Sequence, residues 1–296
     1  MASEPPGATR SSAANVLTLT AIAMVAFAAN SLLCRLALGL DLIDAATFAT
    51  VRVVAGAVTL GLIVLPRWRV RGRGATDWRG AVMLFLYVAG FSFAYVTLSA
   101  GTGALILFSA VQLTMFVVAL RGGEHFPLSS WLGLAIAVAG LVYLVSPGLT
   151  APDPTGAALM TLAGVAWGVY SLRGRGAADP LESTASNFIG ALPMVIAVSL
   201  LFIGGLRVSA AGLALAVISG AVTSGLGYVA WYAALRGLPR TRAATVQLSV
   251  PVIAAIGGVA LLGEPITLRL LLASAATLGG VWIVLAQRAG AATQTA

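Results

Sequence analysis

The chain has 296 residues, 59% of them hydrophobic and 9% charged, with a mean hydropathy of +1.00 and a formal net charge of +8. A soluble globule carries roughly 25% charged residues, and disorder requires low hydrophobicity, so both classes are excluded. What remains is a polytopic membrane protein whose solvent is lipid.

The polar segment 1–15 reads as a tail. The apolar run after it, Val16 to Cys34, is too long for a signal-peptide core and is read as a retained first span. A span needs about 20 largely apolar residues. Such runs predict ten spans, at 16–37, 45–65, 79–98, 102–120, 129–146, 155–172, 183–204, 210–234, 241–262 and 268–287. The stretch between Arg79 and Arg121 is uncharged and too long for one span. Ser99–Gly103 at its middle predicts a tight helical hairpin there. The other connections are short and leave no room for an extramembrane domain.

All 17 cations are arginine. They flank apolar runs, where arginine sets orientation and meets anionic headgroups, so no nucleic-acid partner is expected. With the N-terminus in the cytoplasm, the cytoplasmic segments hold Arg10, the Arg67/Arg69/Arg71/Arg73/Arg79 cluster, Arg121, Arg173/Arg175, Arg236/Arg240/Arg242 and Arg288. The opposite side keeps Arg35, Arg207 and Arg269. This bias predicts a plasma-membrane protein, bacterial inner membrane in type, with both termini inside. Cys34 is the single cysteine and His125 the single histidine, so neither a disulfide nor a cysteine or histidine metal site can be built within the chain. No cofactor or metal is expected.

The chain repeats itself. Val111-Gln112-Leu113-Thr114, Gly123-Glu124 and Ala139-Gly140-Leu141-Val142-Tyr143 return in order as Val246-Gln247-Leu248-Ser249, Gly263-Glu264 and Gly279-Gly280-Val281-Trp282-Ile283. Gly90-Phe91 and Tyr95 fall on Gly227-Tyr228 and Tyr232, and Phe27-Ala28 falls on Trp167-Gly168. This predicts five-helix units at 16–147 and 155–287, with tails at 1–15 and 288–296. Five is odd, so the second unit enters upside down, as in many carriers that alternate access around a midplane site.

The ordered set of ten short spans, a Gly-Glu at each fourth-to-fifth junction and Trp167-Gly168 near the start of the second half resembles the EamA-type exporters of the drug/metabolite transporter superfamily. The resemblance implies an all-α integral membrane protein, with ten transmembrane helices as two inverted five-helix repeats around a central cavity. Spans 1, 3, 4, 6, 8 and 9 would line that cavity. Within the family the chain most resembles amino-acid exporters, including those for aromatic amino acids. One departure is visible, since Pro251 in span 9 has Phe116 as its repeat counterpart.

Tyr87, Phe91 and Tyr95 are four apart and share one face of span 3. Ser224, Tyr228 and Tyr232 repeat that spacing in span 8. Either stripe is a cavity wall for apolar or aromatic groups, or ordinary packing. Gln112 and Gln247 are mid-span amides, costly unless paired, whose repeat equivalence points both to the pseudo-symmetry axis. Pro251 removes the donor for the carbonyl of Gln247, so that carbonyl is expected free beside the side-chain amide, a site for a substrate ammonium. Asn30 and Ser31 interrupt span 1, and Trp167, Tyr170 and Ser171 interrupt span 6 at matched positions. Trp167 lies too deep for an interface anchor and is the leading substrate contact, whereas Trp78, Trp131, Trp282 and Tyr143 lie near run ends and read as anchors. Arg52 is inside span 2. It either holds a substrate carboxylate or, the reading span 2's expected place away from the cavity favours, is structural, snorkelling or capping carbonyls.

None of the nine acids falls inside a predicted span. Coupled carriers usually place an acid there, so facilitated or loosely coupled transport of zwitterionic solutes is expected. No Ser–His pair, acid pair or metal cluster supports an intramembrane enzyme. A channel would need rings of carbonyls or charges from several chains. The sequence therefore predicts an exporter of aromatic and other neutral amino acids or similar metabolites, functional as a monomer. Export of drugs, purines or other small metabolites is the alternative, and a channel or intramembrane enzyme is remote.

Overall fold

The computed structural model describes residues 13–124, 126–174 and 177–294, with the side chains of 240, 241 and 287–294 left aside. Arg10, His125, Arg175 and most of the tail at 1–15 lie outside the described residues, as do the side chains of Arg240 and Arg288. The chain is an all-α integral membrane protein. The helices are α1 (Ala13–Gly39), α2 (Ala45–Arg71), α3 (Trp78–Ala94), α4 (Ala100–Arg121), α5 (Leu128–Val145), α6 (Pro154–Gly174) and α7 (Pro180–Leu201), followed by three more. These are α8 (Ala210–Leu235), α9 (a piece Arg240–Val246, then Ser249–Leu262) and α10 (Leu268–Gln294). Among the described residues nine helices are long and apolar enough to cross a membrane, and α3, at 17 residues, is shorter.

Local chemistry sets the helix starts. The Asp44, Ser99 and Ser209 side chains accept from backbone N–H groups in the first turns of α2, α4 and α8, and Asp179 does so before Pro180 at the head of α7. The cap at Ser99 moves the expected hairpin. The chain turns at Tyr95–Leu98, and Gly101 and Gly103 sit inside α4. Their smallness serves packing. A side chain at Gly103 would collide with the Tyr95 ring, and one at Gly101 with Ala255.

The Gly-Glu pairs also gain a physical meaning. Gly123 (φ 83°) and Gly263 (φ 67°) are left-handed residues that stop α4 and α9. The following amides then turn back, Glu124 to the Ala119 carbonyl and Glu264 to that of Gly258.

Packing follows the sequence repeat. α1 packs on α8 and α9, and α6 packs on α3 and α4; α2 pairs with α7, α5 with α10 and α4 with α9. Adding or subtracting five from each label exchanges the α1 pairs with the α6 pairs and returns each of the other three to itself. The α5–α10 pair stands beside the rest, its backbones brought together by Gly133 against Gly280 and Gly140 against Thr277. Gly280→Val drives a methyl into the Gly133 carbonyl, whereas Gly61 has no atom within 4 Å of an added Cβ. Overpacking costs about 1–3 kcal/mol. The thermal midpoint in detergent is expected to fall by several degrees for Gly280→Val and to hold for Gly61→Val.

With ten helices running up and down in turn, the start of α1 and the end of α10 lie at one end of the bundle, here the terminal end. Arg67–Asp179 (2.8 Å) and Arg173–Asp77 (2.9 Å) pair there, while Arg35–Glu264 (3.0 Å) and Arg207–Asp41 (3.3 Å) pair at the opposite end. Arg173 donates to both Asp77 oxygens and holds that carboxyl below the usual carboxylate range, against a smaller opposing effect of burial.

Candidate substrate chamber

Two cavities follow one another along the bundle. The central one lies among α1, α3, α4, α6 and α8, with Asn30, Tyr87, Phe91, Trp167, Ser224 and Tyr228 in its wall. The second lies toward the terminal end, where Trp167, Trp231, Tyr232 and Gln247 meet Met115 of α4 and Pro180 of α7. Both are narrow in this closed packing. Trp167 belongs to both walls and forms the partition between them.

Aromatic rings hold that partition. Trp167 is stacked on Tyr228 (5.4 Å, 19°) and on Tyr170 (5.3 Å, 25°), and tilted against Tyr87 (4.8 Å, 41°). These are offset geometries that aromatic pairs favour. Tyr170 stands behind the wall, where its hydroxyl donates to Thr184 Oγ1 (3.1 Å), which also bonds the Tyr232 hydroxyl (2.8 Å). On α1, Asn30 Oδ1 accepts from the hydroxyls of Ser219 (2.6 Å) and Thr223 (3.2 Å).

The structure thus brings Asn30, Tyr87, Phe91, Trp167, Tyr228, Tyr232 and Gln247 onto cavity walls. Three candidates sit elsewhere, Tyr170 behind the wall among them. Tyr95 lies past the end of α3, buried against Gly103, with its hydroxyl donating to the Ala100 carbonyl (3.3 Å). Gln112 donates from Nε2 to the Ala244 carbonyl (3.3 Å), tying α4 to α9. Phe27, Leu107, Phe108 and Thr223 line the central cavity and were not singled out. Phe27 had a signal, since the repeat matches it to Trp167. Trp78, Trp131 and Tyr143 are exposed near helix ends, and Trp282, also exposed, lies midway along α10.

Two expectations need correction. The Gln247 carbonyl is not free. α9 breaks at Gln247–Leu248, and the tighter turn lets Val250 N–H reach that carbonyl (3.1 Å) in place of the donor Pro251 lacks. In the same break Leu248 N–H bonds Thr245, so the Ala244 carbonyl falls to Gln112. The ammonium site expected from Pro251 therefore loses its acceptor.

Arg52 is the second correction. It neither snorkels nor caps carbonyls. Fully buried (0% exposed), it donates from Nη2 to Tyr87 Oη (2.9 Å) and from Nε to Ser224 Oγ (3.2 Å). Its guanidinium also lies over the rings of Phe91 (4.8 Å) and Tyr87 (5.1 Å). It gets there because α2 and α8 touch backbone to backbone, as a Cβ at Gly220 would collide with the Arg52 carbonyl oxygen. At that contact α8 widens into a π-helical stretch, Ser219–Leu226, which carries both Thr223 and Ser224 into the wall.

The opposite end is closed by one knot of side chains. Arg35 Nε donates to Glu264 Oε1 (3.0 Å), and its Nη1 donates to the carbonyls of Tyr95 (3.2 Å) and Val96 (3.1 Å). Glu264 Oε2 accepts from Ala100 N–H at the head of α4 (2.9 Å). Three elements, α1, the α3–α4 hairpin and the α9–α10 junction, meet there.

A ten-helix membrane bundle with an aromatic chamber reaching toward one end and a polar knot at the other defines a membrane transporter of small molecules. Residues 154–286 match the EamA-like transporter family. Over 278 residues the chain is 50% identical to an uncharacterized protein of Pseudomonas aeruginosa, covering 94% of this chain and 97% of that one. Over 199 residues it is 27% identical to an uncharacterized transporter of Archaeoglobus fulgidus, covering 65% and 70%. A crystal structure at 19% identity shares the fold, with a TM-score of 0.66 over 92% of this chain and 97% of that one. The chain belongs to the EamA-like transporter family.

Proposed function

We propose that this transporter exports amino acids, aromatic and other neutral ones first, by alternating access between the five-helix units 16–147 and 155–287. The observation that carries this reading is the position of Trp167, a buried ring shared by two successive cavities and flanked by three tyrosines. Flat apolar substrate groups gain from such a wall both by area and by ring geometry. The substrate enters from the terminal end, passes Trp167 into the central cavity, and leaves when the units rock and the Arg35–Glu264 knot parts. The arginine bias toward the terminal end supports placing that end, with both termini, in the cytoplasm of a bacterial plasma membrane. The chamber is built from one chain, so the monomer is the working unit.

The test is counterflow in proteoliposomes with no ion gradient, over amino acids, purines and quaternary amines. Saturable exchange of aromatic amino acids is expected, because among the described residues the acid within a membrane-length helix, Glu182, sits in the first turn of α7 rather than at the chamber. Exchange confined to purines or amines would replace the substrate class, strict dependence on an imposed gradient would remove facilitated transport, and non-saturating flux would indicate a channel.

A further inference from the structure

We propose that Arg52 makes the central cavity an oxyanion site, so that the transported solute is selected for a carboxylate lying toward α2 and α8. This rests on the transport reading and names what the chamber recognises. The guanidinium has two hydroxyl partners and two aromatic faces, and its Nη1 has no hydrogen-bond partner. Among the described residues no carboxylate answers it, and their ion pairs all join other arginines at the two ends of the bundle. A cation in the interior of a membrane protein is expensive unless an anion pairs with it. Here the described residues supply none, and the two hydroxyls that hold the guanidinium stand in the cavity wall.

The polar groups of the cavity are matched to an acceptor-rich ligand. Tyr87 Oη and Ser224 Oγ each accept from Arg52, and each keeps its own O–H to donate. Both residues line the cavity. A hydroxyl that accepts from a guanidinium is polarised and donates more strongly. Asn30, across the cavity on α1, has its amide oxygen taken by Ser219 and Thr223, which leaves its N–H groups to donate. Every polar group counted so far is a donor, and the charge behind them is positive. Carboxylate and phosphate share the required chemistry. An ammonium or a quaternary amine meets a like charge there.

The test is binding of size-matched probes to the full chain in nanodiscs, by calorimetry. The probes are phenylalanine, phenylalaninamide (no carboxylate), 3-phenylpropionate (no amine), phenyl phosphate and phenethyltrimethylammonium. Phenylalanine and 3-phenylpropionate are expected to bind at least about tenfold more tightly than the amide and the quaternary amine, the scale of charge-assisted hydrogen bonds. Arg52→Gln should erase that preference by weakening the acids while leaving the amide unchanged. Because Arg52→Gln also removes buried contacts that hold α2 to α3 and α8, Tyr87→Phe and Ser224→Ala are measured beside it, each expected to weaken the acids several-fold and not the amide. Phenyl phosphate outbinding both carboxylates would overturn the carboxylate assignment in favour of phosphate. Equal binding of phenylalanine and its amide would make Arg52 a structural residue and leave the transport reading intact. No binding by any probe, with no counterflow, would overturn both.

Discussion

Trp167→Ala is expected to reduce saturable transport of aromatic amino acids at least about tenfold while leaving a folded protein. The indole is 7% exposed and belongs to the walls of both cavities, so its removal merges them into one passage. Three ring contacts disappear with it, and aromatic pairs contribute about 0.5–1.5 kcal/mol each beyond their buried area. A substrate ring held by the same surface loses a comparable amount, and about 1.4 kcal/mol is already a factor of ten. Core Trp→Ala changes cost about 3–5 kcal/mol, but this ring borders empty space on two sides and should cost less. Trp167→Phe keeps an aromatic face and is expected to fall between. Counterflow and thermal midpoints, measured on the same preparations, separate the two effects. Normal transport by a folded Trp167→Ala protein would remove the residue from the site.

The features legible in the sequence are those set by local chemistry. Ten apolar runs of membrane length fix the ten helices, because each buries its backbone polar groups within itself. The paired Gly-Glu motifs mark helix stops, because only a left-handed residue lets the next amide turn back. Trp167, Tyr228 and Asn30 could be found because polar or amphipathic side chains in mid-span must face something other than lipid. Helical periodicity failed at Tyr95, since it assumes that α3 continues where Tyr95–Leu98 already turn the chain.

The remainder depends on contacts between distant residues. The π-helical stretch of α8 accompanies the backbone contact between Gly220 and Arg52, which a reading of either helix alone does not contain. Arg52 has the same origin. Its partners Tyr87 and Ser224 lie 35 and 172 residues away in sequence, and the favoured structural reading rested on where span 2 was expected to stand. Pro251 carried a sound local argument, a missing donor, and the fold answered it by tightening the turn at Gln247. Glu264, visible in the sequence only as a repeat marker, is an acid that joins both halves at the closed end.

Breaking the knot at Glu264 is expected to expose the chamber from the end opposite the termini. The carboxylate is well sheltered, with a relative side-chain exposure of 13%, and it spends one oxygen on Arg35 and the other on the head of α4. Hydrogen bonds to a charged group contribute about 1.5–3 kcal/mol, and an anion at a helix N-terminus adds a favourable dipole contribution. Alternating access requires this closure to be broken and remade in each cycle, so its strength sets how often the end opens. Glu264→Gln keeps the shape and removes the charge, and a loss of 1.5 kcal/mol multiplies the open population by about ten. The chain carries its own reporter. Cys34, the only cysteine, is buried one residue before Arg35 and becomes reachable by a membrane-impermeant maleimide only if this end opens. Alkylation of Cys34 is expected to be slow in the parent protein, about tenfold faster in Glu264→Gln and faster again in Glu264→Ala, which also frees Ala100 N–H. Unchanged labelling in both variants, with the thiol fully reactive after denaturation, would mean that Arg35 and Glu264 brace the bundle and that the exit lies elsewhere.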